Sequence, residues 1–259
     1  MKMNQLSTAR LIMLTDKQIE KLRYEDRAKR YINSNKNHIK GIKKYLLEPY
    51  EYYYEKIYEL VNSESSVLEI GCGIGEHSDI PVNVSGSFTA MDISSKSLCI
   101  FRRNMVMGIE KINTVCADIE KLPFSSENFD VVLSAGSLSY GDNHVVMTEI
   151  NRVLKEGGYF ICVDSLNNNL IYKMNRFLHY LAGNRSASTL KRMPNLKLLE
   201  VYKNKFSNSS VNFFGSITYL APVIGFLFDD DVAYKISKKI DRMIRVKSSA
   251  FKFVMVLKK

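Results

Sequence analysis

The stretch Val67-Leu-Glu-Ile-Gly-Cys-Gly-Ile-Gly-Glu-His-Ser78 constrains this chain more than any other. A short apolar run, Val67 to Ile70, ends in glycines at alternate positions, Gly71, Gly73 and Gly75, and a helix-compatible segment follows. Glycine lets the backbone turn sharply and lets a ligand lie directly against it. The pattern predicts a buried parallel strand, a tight turn, then a helix whose first N–H groups face a nucleotide-like ligand.

The ligand's chemistry follows from what the turn lacks. A dinucleotide fingerprint requires glycine or alanine at the sixth place, which here is Glu76. A carboxylate there repels a pyrophosphate. The chain also has no G-x-x-x-x-G-K-[ST] phosphate loop. Glu69 adds a second acid beside the turn, so a cationic ligand without phosphate suits it better. Glu69-x-Gly71-x-Gly73-x-Gly75 resembles the first motif of the class I S-adenosylmethionine-dependent methyltransferases. Their cofactor carries a sulfonium and an ammonium and no phosphate.

The next hundred residues continue the rhythm. Ser87 to Asp92 reads as a second strand ending in an acid, about twenty residues after the first glycine, the spacing of a ribose-binding carboxylate. The plain alternative for Asp92 is a helix cap or turn residue before Ser94 and Ser95. Ile112 to Asp118 reads as a third strand and Phe129 to Ser134 as a fourth. Val145 to Leu154 has helical spacing, Glu156-Gly-Gly158 stops that helix, and Tyr159 to Val163 reads as a fifth strand. "ADIEKLPF…FDVV" and "RVLKEGGYF" are familiar segments of the same methyltransferase family, and the likeness covers residues 60–165. It implies an α/β, Rossmann-like, doubly wound sheet of seven mostly parallel strands. It also implies S-adenosylmethionine as cofactor, held by Glu69, Gly71, Cys72, Gly73, Gly75, Asp92, Ile93, Asp118, Ile119 and Ser134. In that family Asp92 takes the ribose, while Asp118 and the Ile119 N–H face the adenine.

Outside this core, Ile19 to Tyr31 and Ile39 to Leu60 look helical, which divides the chain into an N-terminal cap (residues 1–60) and a cofactor-binding domain (residues 61–259). Six tyrosines crowd the second helical segment, from Tyr45 to Tyr58, either to pack with their hydroxyls in water or to shape an acceptor pocket. Residues from about 165 to 200 follow the fifth strand, where loops surround the ligand in such sheets, and so predict a lid. There Asn167, Asn168 and Asn169 suit a hydroxyl-rich ligand, and Arg176, His179 and Arg185 an anionic one. Residues 164–195 are also similar to methyltransferases of bacterial surface-polysaccharide clusters, which implies a saccharide acceptor. Val211 to Phe228 is about as long as a short transmembrane span but contains polar residues, glycines and Pro222. It predicts a buried sixth strand followed by an apolar helix, or contact with a membrane surface.

The formal charge is +10, which allows an anionic partner but does not choose one. Nucleic-acid methylation is disfavoured, since Ser-Ala-Gly-Ser137 replaces the [DN]-P-P-[FYW] motif after the fourth strand and no Pro-Cys nucleophile is present. A lipid or quinone acceptor is the other alternative. Cys72, Cys99, Cys116 and Cys162 form no C-x-x-C pair and read as reduced core residues of a cytoplasmic protein, with no metal site. Leu11 to Leu14 is too short for a signal peptide. For the chemistry, a sugar hydroxyl needs a base. The candidates are His179, then His144 and Asp142, with Tyr140 in the same loop after the fourth strand.

Overall fold

The structure, a computed structural model, describes residues 15–34, 47–105, 108–182, 186–217, 229–243 and 246–259. Seven strands form one sheet: β1 (Ser66–Ile70), β2 (Ser87–Asp92), β3 (Ile112–Cys116), β4 (Phe129–Ala135), β5 (Leu154–Ser165), β6 (Asn208–Phe214) and β7 (Lys252–Lys258). Their order is β3-β2-β1-β4-β5-β7-β6, with β1 to β5 parallel and β7 antiparallel to both neighbours. The mostly parallel, doubly wound sheet is therefore as the sequence implied.

Each central strand is covered on both faces, which is why its sequence reads as an unbroken apolar run. Leu68, Val132, Phe160 and Met255 pack on one face, beneath α5 (Asn143–Val153) and α8 (Leu196–Lys203). Val67, Phe88, Leu133 and Val254 pack on the other, beneath α2 (Glu48–Leu60) and α4 (Ser95–Asn104). Short α3 (Asp79–Val84) completes the first β–α unit, and α1 (Asp16–Ser34) rests on α4. Between β5 and β6 lie α6 (Leu170–Leu181), α7 (Ala187–Arg192) and α8, and α9 (Asp230–Met243) precedes β7.

Several boundaries differ from the expectations. The α5 helix ends at Val153, and Leu154 already belongs to β5. Gly157, at φ +75°, lies inside that strand, where the β4–β5 register shifts, so the glycine pair marks a strand irregularity, not a helix stop. β6 begins at Asn208 and is a half-exposed edge strand instead of a buried one. The apolar residues 218–228 that follow it, like residues 39–46 of the expected second helix, lie outside the described residues. Cys72 and Cys162 are buried thiols, whereas Cys116, on edge strand β3, and Cys99 are exposed. No helix among the described residues is long and apolar enough to cross a membrane.

Candidate functional site

The strand order reverses between β1 and β4, and a cavity of about 590 Å³ opens over the carboxyl ends of β1, β2 and β4 at that point. Its floor is the glycine turn. Gly71, Gly73 and Gly75 all have positive φ (+66°, +57° and +87°). The three are not equivalent. A Cβ on Gly71 would lie 2.4 Å from the Ser137 Cβ, so this glycine lets β1 and the turn after β4 approach. A Cβ on Gly73, or on Gly136 at φ +82°, meets nothing within 4 Å, so these two line a cradle that a side chain would fill. Gly75 does not line the cavity. A Cβ there would press on Met105 and Phe101, so its part is packing.

Asp92 closes the turn from the side. Its Oδ2 accepts from the Gly73 N–H (2.9 Å) and its Oδ1 from the Ser94 N–H (2.8 Å). Each oxygen retains a second lone pair for a ligand in the cavity. Ser94, not Asp92, caps α4. Burial raises the Asp92 pKa, and the two backbone donors oppose that. Glu69 lies beneath the turn, fully buried, accepting from the Ser78 hydroxyl. Burial lifts its pKa to about 7, with Ser78 working against the rise and the Asp92 charge adding to it.

This predicts a pH signature. The carboxyl holds more proton in the folded protein than in the unfolded chain from pH 4.5, its ordinary value, to about 7. Its contribution to stability therefore falls as pH rises through that window and is constant outside it. Glu69→Gln should remove this decline, so the melting temperature of the variant relative to wild type rises from pH 4.5 to 7. The free-energy difference at stake is on the order of 3 kcal/mol. Parallel pH profiles for the two proteins would refute the assignment.

Asp118 and Ile119, after β3, also line the cavity. The Asp118 carboxylate accepts from the Glu120 N–H (2.9 Å) and pairs with the Lys17 ammonium, which also reaches Glu120. Lys17 comes from α1, which crosses the cavity. Further along α1, Glu20 accepts from Thr189 Oγ1 (2.9 Å) and the Ser186 N–H (3.3 Å) of the α7 region, and Tyr24 meets Tyr140 hydroxyl to hydroxyl. Five acidic side chains line the cavity, those of Glu20 (paired with Arg23), Glu69 (partly protonated at neutral pH), Glu76, Asp92 and Asp118, against Lys17 as the single Lys or Arg that lines it among the described residues. On a chain of charge +10 this is a local inversion that favours a cationic ligand and opposes a phosphate-bearing one.

The far wall is aromatic. Tyr24, Tyr50, Tyr54 and Tyr140 face the cavity with His77. The His77 ring stacks on Tyr50, centroids 4.4 Å apart and planes 8° from parallel, and its Nδ1 lies 2.7 Å from the Tyr54 hydroxyl. Behind that stack, the Lys252 ammonium sits 4.9 Å from the Tyr50 ring centre. Burial, helped by the Lys252 charge, lowers the His77 pKa to about 4, so the imidazole is neutral at ordinary pH. Burial also pushes the Tyr54 pKa well up, and the phenol keeps its proton.

Of the residues singled out in the sequence, Glu69, Gly71, Cys72, Gly73, Asp92, Ile93, Asp118, Ile119 and Tyr140 come together around this cavity. Ser134 is buried behind it, its hydroxyl 2.7 Å from that of Ser137, which in turn donates to the Ile70 carbonyl (3.1 Å). The expected bases are elsewhere. Asp142 caps α5, accepting from the His144 and Val145 N–H groups, and His144 is exposed on that helix. His179 is exposed on α6. None of these three lines the cavity. Arg176 does not offer itself to an anionic ligand either. It is buried, donating to the Leu166 carbonyl (2.8 Å) and Asn167 Oδ1 (3.0 Å). Arg185 lies outside the described residues. His77, absent from the sequence-derived candidates, sits inside the glycine motif two residues past Gly75, and that position is the signal that marks it.

Residues 68–162 match the model of a methyltransferase domain. Over 103 residues the chain is 35% identical to a fatty-acid O-methyltransferase of Mycolicibacterium smegmatis, covering 38% of this chain and 36% of that protein. Over 121 residues it is 37% identical to a sterol 4-C-methyltransferase of Caenorhabditis elegans, covering 44% and 36%. The chain thus spans about a third of the length of these curated relatives. Among solved structures, a chain from the complex of the Haloferax volcanii Trm112 methyltransferase activator with its methyltransferase superposes with a TM-score of 0.62. Its sequence identity is 16%, and the match covers 94% of this chain and 97% of that one, a likeness of fold.

Proposed function

We propose that this chain, whose residues 68–162 carry a methyltransferase domain, transfers methyl from S-adenosylmethionine to an apolar or amphipathic acceptor such as a lipid or quinone. One observation carries the reading: the acid-lined glycine cradle and the tyrosine chamber are two ends of a single cavity. The cradle fits the cofactor. Asp92 has lone pairs for ribose hydroxyls, Asp118 and the Ile119 backbone flank the place for the base, and Glu69 suits the cationic amino-acid end. When bound, the cofactor supplies a methyl already activated on a sulfonium.

The protein's own residues do the rest. α1 and α2 lie over the cavity and exclude water through Lys17, Tyr24, Tyr50 and Tyr54. The tyrosine faces hold an apolar acceptor beside the cradle while their hydroxyls orient its polar end. His77, neutral and held between Tyr50 and Tyr54, accepts the acceptor's proton. The fatty-acid and sterol methyltransferases among the relatives support an acceptor of this kind.

O-methylation of a saccharide is the second reading, served by the same tyrosine hydroxyls. Two of the three asparagines expected to serve it, Asn167 and Asn169, are engaged elsewhere. Asn167 accepts from Arg176, and Asn169 caps α6 by accepting from the Ile171 N–H. RNA is less suited, because Lys17 alone brings a Lys or Arg to the described cavity wall.

Calorimetry with S-adenosylmethionine, followed by transfer of its labelled methyl to organic-solvent and aqueous cell extracts, tests the proposal. Label in the organic phase is the expected result. Label in the saccharide fraction would replace the acceptor class, and absence of cofactor binding would overturn the activity.

A further inference from the structure

The α6 helix is mounted with its apolar side outward. Advancing about 100° per residue, Leu170, Ile171, Met174, Phe177, Leu178 and Leu181 fall within one arc of roughly 120°. These six are between 45% and 79% exposed. Tyr172 and Arg176, the buried positions of the helix, lie on the opposite side. Their attachments explain the mounting. Arg176 donates to Leu166 and Asn167, its guanidinium lies 5.8 Å from the Tyr172 ring and 5.9 Å from that of Phe251, and Tyr172 donates to the Gly215 carbonyl (3.3 Å). A soluble helix ordinarily turns such a stripe to the core, and a contiguous exposed apolar face marks a surface for something else.

We infer that α6 is an interfacial helix that docks this protein on an anionic lipid bilayer. Charge supports that occupant. Apart from the buried Arg176, residues 166–205 hold seven Lys or Arg against one acid, Glu200, and so more than half of the chain's excess of +10. Exposed Lys173 flanks the apolar arc, and Lys191 and Lys197 are exposed on the next two helices. An apolar face with basic residues beside it is what an anionic interface attracts. A second copy of the chain fits less well. A helix of 12 residues presents a strip about 18 Å long and about 10 Å wide, far below the roughly 800 Å² each partner gives a stable interface. The face is also connected to the site. α7, the next helix, packs on the turn Leu138–Tyr140, and Thr189 on it binds cavity-lining Glu20. Docking through α6 would thus hold at the bilayer α7, the helix that braces the cavity wall, a route for a lipidic acceptor. That route rests on the function proposed above, whereas the docking itself does not.

Co-sedimentation with vesicles of phosphatidylglycerol and phosphatidylcholine, against phosphatidylcholine alone, tests this. Wild type should partition onto the anionic vesicles and release as salt rises. The double change Met174→Glu and Leu178→Glu should lower partitioning at least tenfold, with the thermal melt by circular dichroism unchanged. As the chain has no tryptophan, Leu181→Trp supplies a single reporter whose emission should shift blue on anionic vesicles. Equal sedimentation of the folded double variant, indifference of wild type to both vesicle types, or no blue shift would overturn the inference. So would a wild-type dimer abolished by the same double change, which would assign the face to a second copy. Retained vesicle binding without methyl transfer to any acceptor would sink the functional reading and leave this one standing.

Discussion

Changing His77 to alanine is expected to slow methyl transfer by about a hundredfold or more while S-adenosylmethionine binds as tightly as to wild type. His77 is the one histidine that lines the cavity among the described residues. The stacked Tyr50 ring and the Tyr54 hydroxyl fix its plane, so little orientational freedom remains to be lost when an acceptor arrives. Its pKa of about 4, set by burial and the Lys252 charge, keeps the imidazole unprotonated throughout the neutral range, though it also makes the ring a weaker base than a free histidine. The rate should therefore show no His77 limb between about pH 5 and 8. His77→Gln separates proton transfer from positioning, since glutamine can still hydrogen-bond Tyr54 but cannot serve as base. A glutamine variant at full turnover would reduce His77 to a positioning residue, and an alanine variant at full turnover would remove it from the mechanism.

Asp92→Ala should weaken S-adenosylmethionine binding by more than tenfold, about 1.4 kcal/mol or greater. The loss has two parts. The lone pairs that face the cavity disappear, and the Gly73 and Ser94 N–H groups lose the carboxylate that holds the glycine turn against β2. Charge-assisted bonds to a buried backbone donor are among the stronger ones, so the melting temperature should fall as well. Asp92→Asn keeps an acceptor for one of these amides but turns an amide donor toward the other, and its affinity should lie between the two. Calorimetry that gave the same dissociation constant for alanine and wild type would remove Asp92 from the cofactor site.

The two halves of the cavity were unequally legible. The cradle was readable because its residues follow the ends of β1, β2, β3 and β4, where a glycine or acid directly after a strand lands at the same edge of any parallel sheet. The chamber was only half readable: the tyrosines of α2 fitted packing or a pocket equally, and the choice between them is made only when Tyr24 of α1, Tyr50 and Tyr54 of α2 and His77 of the glycine turn meet in the packed fold. His144 and His179 were on plausible loops, yet both ended exposed. Which way a helical side chain faces depends on the helix's rotation about its axis, and spacing alone does not set that.

The sequence by itself determined the sheet, the parallel core and the cofactor cradle, because these rest on strand period, backbone freedom at glycine and residues adjacent in the chain. Only the tertiary structure decided the tyrosine chamber, the choice of His77 and the outward turn of α6. On that helix the buried Arg176, held by Leu166 and Asn167 beside the Phe251 ring, outweighed an apolar stripe that periodicity alone would have placed inside.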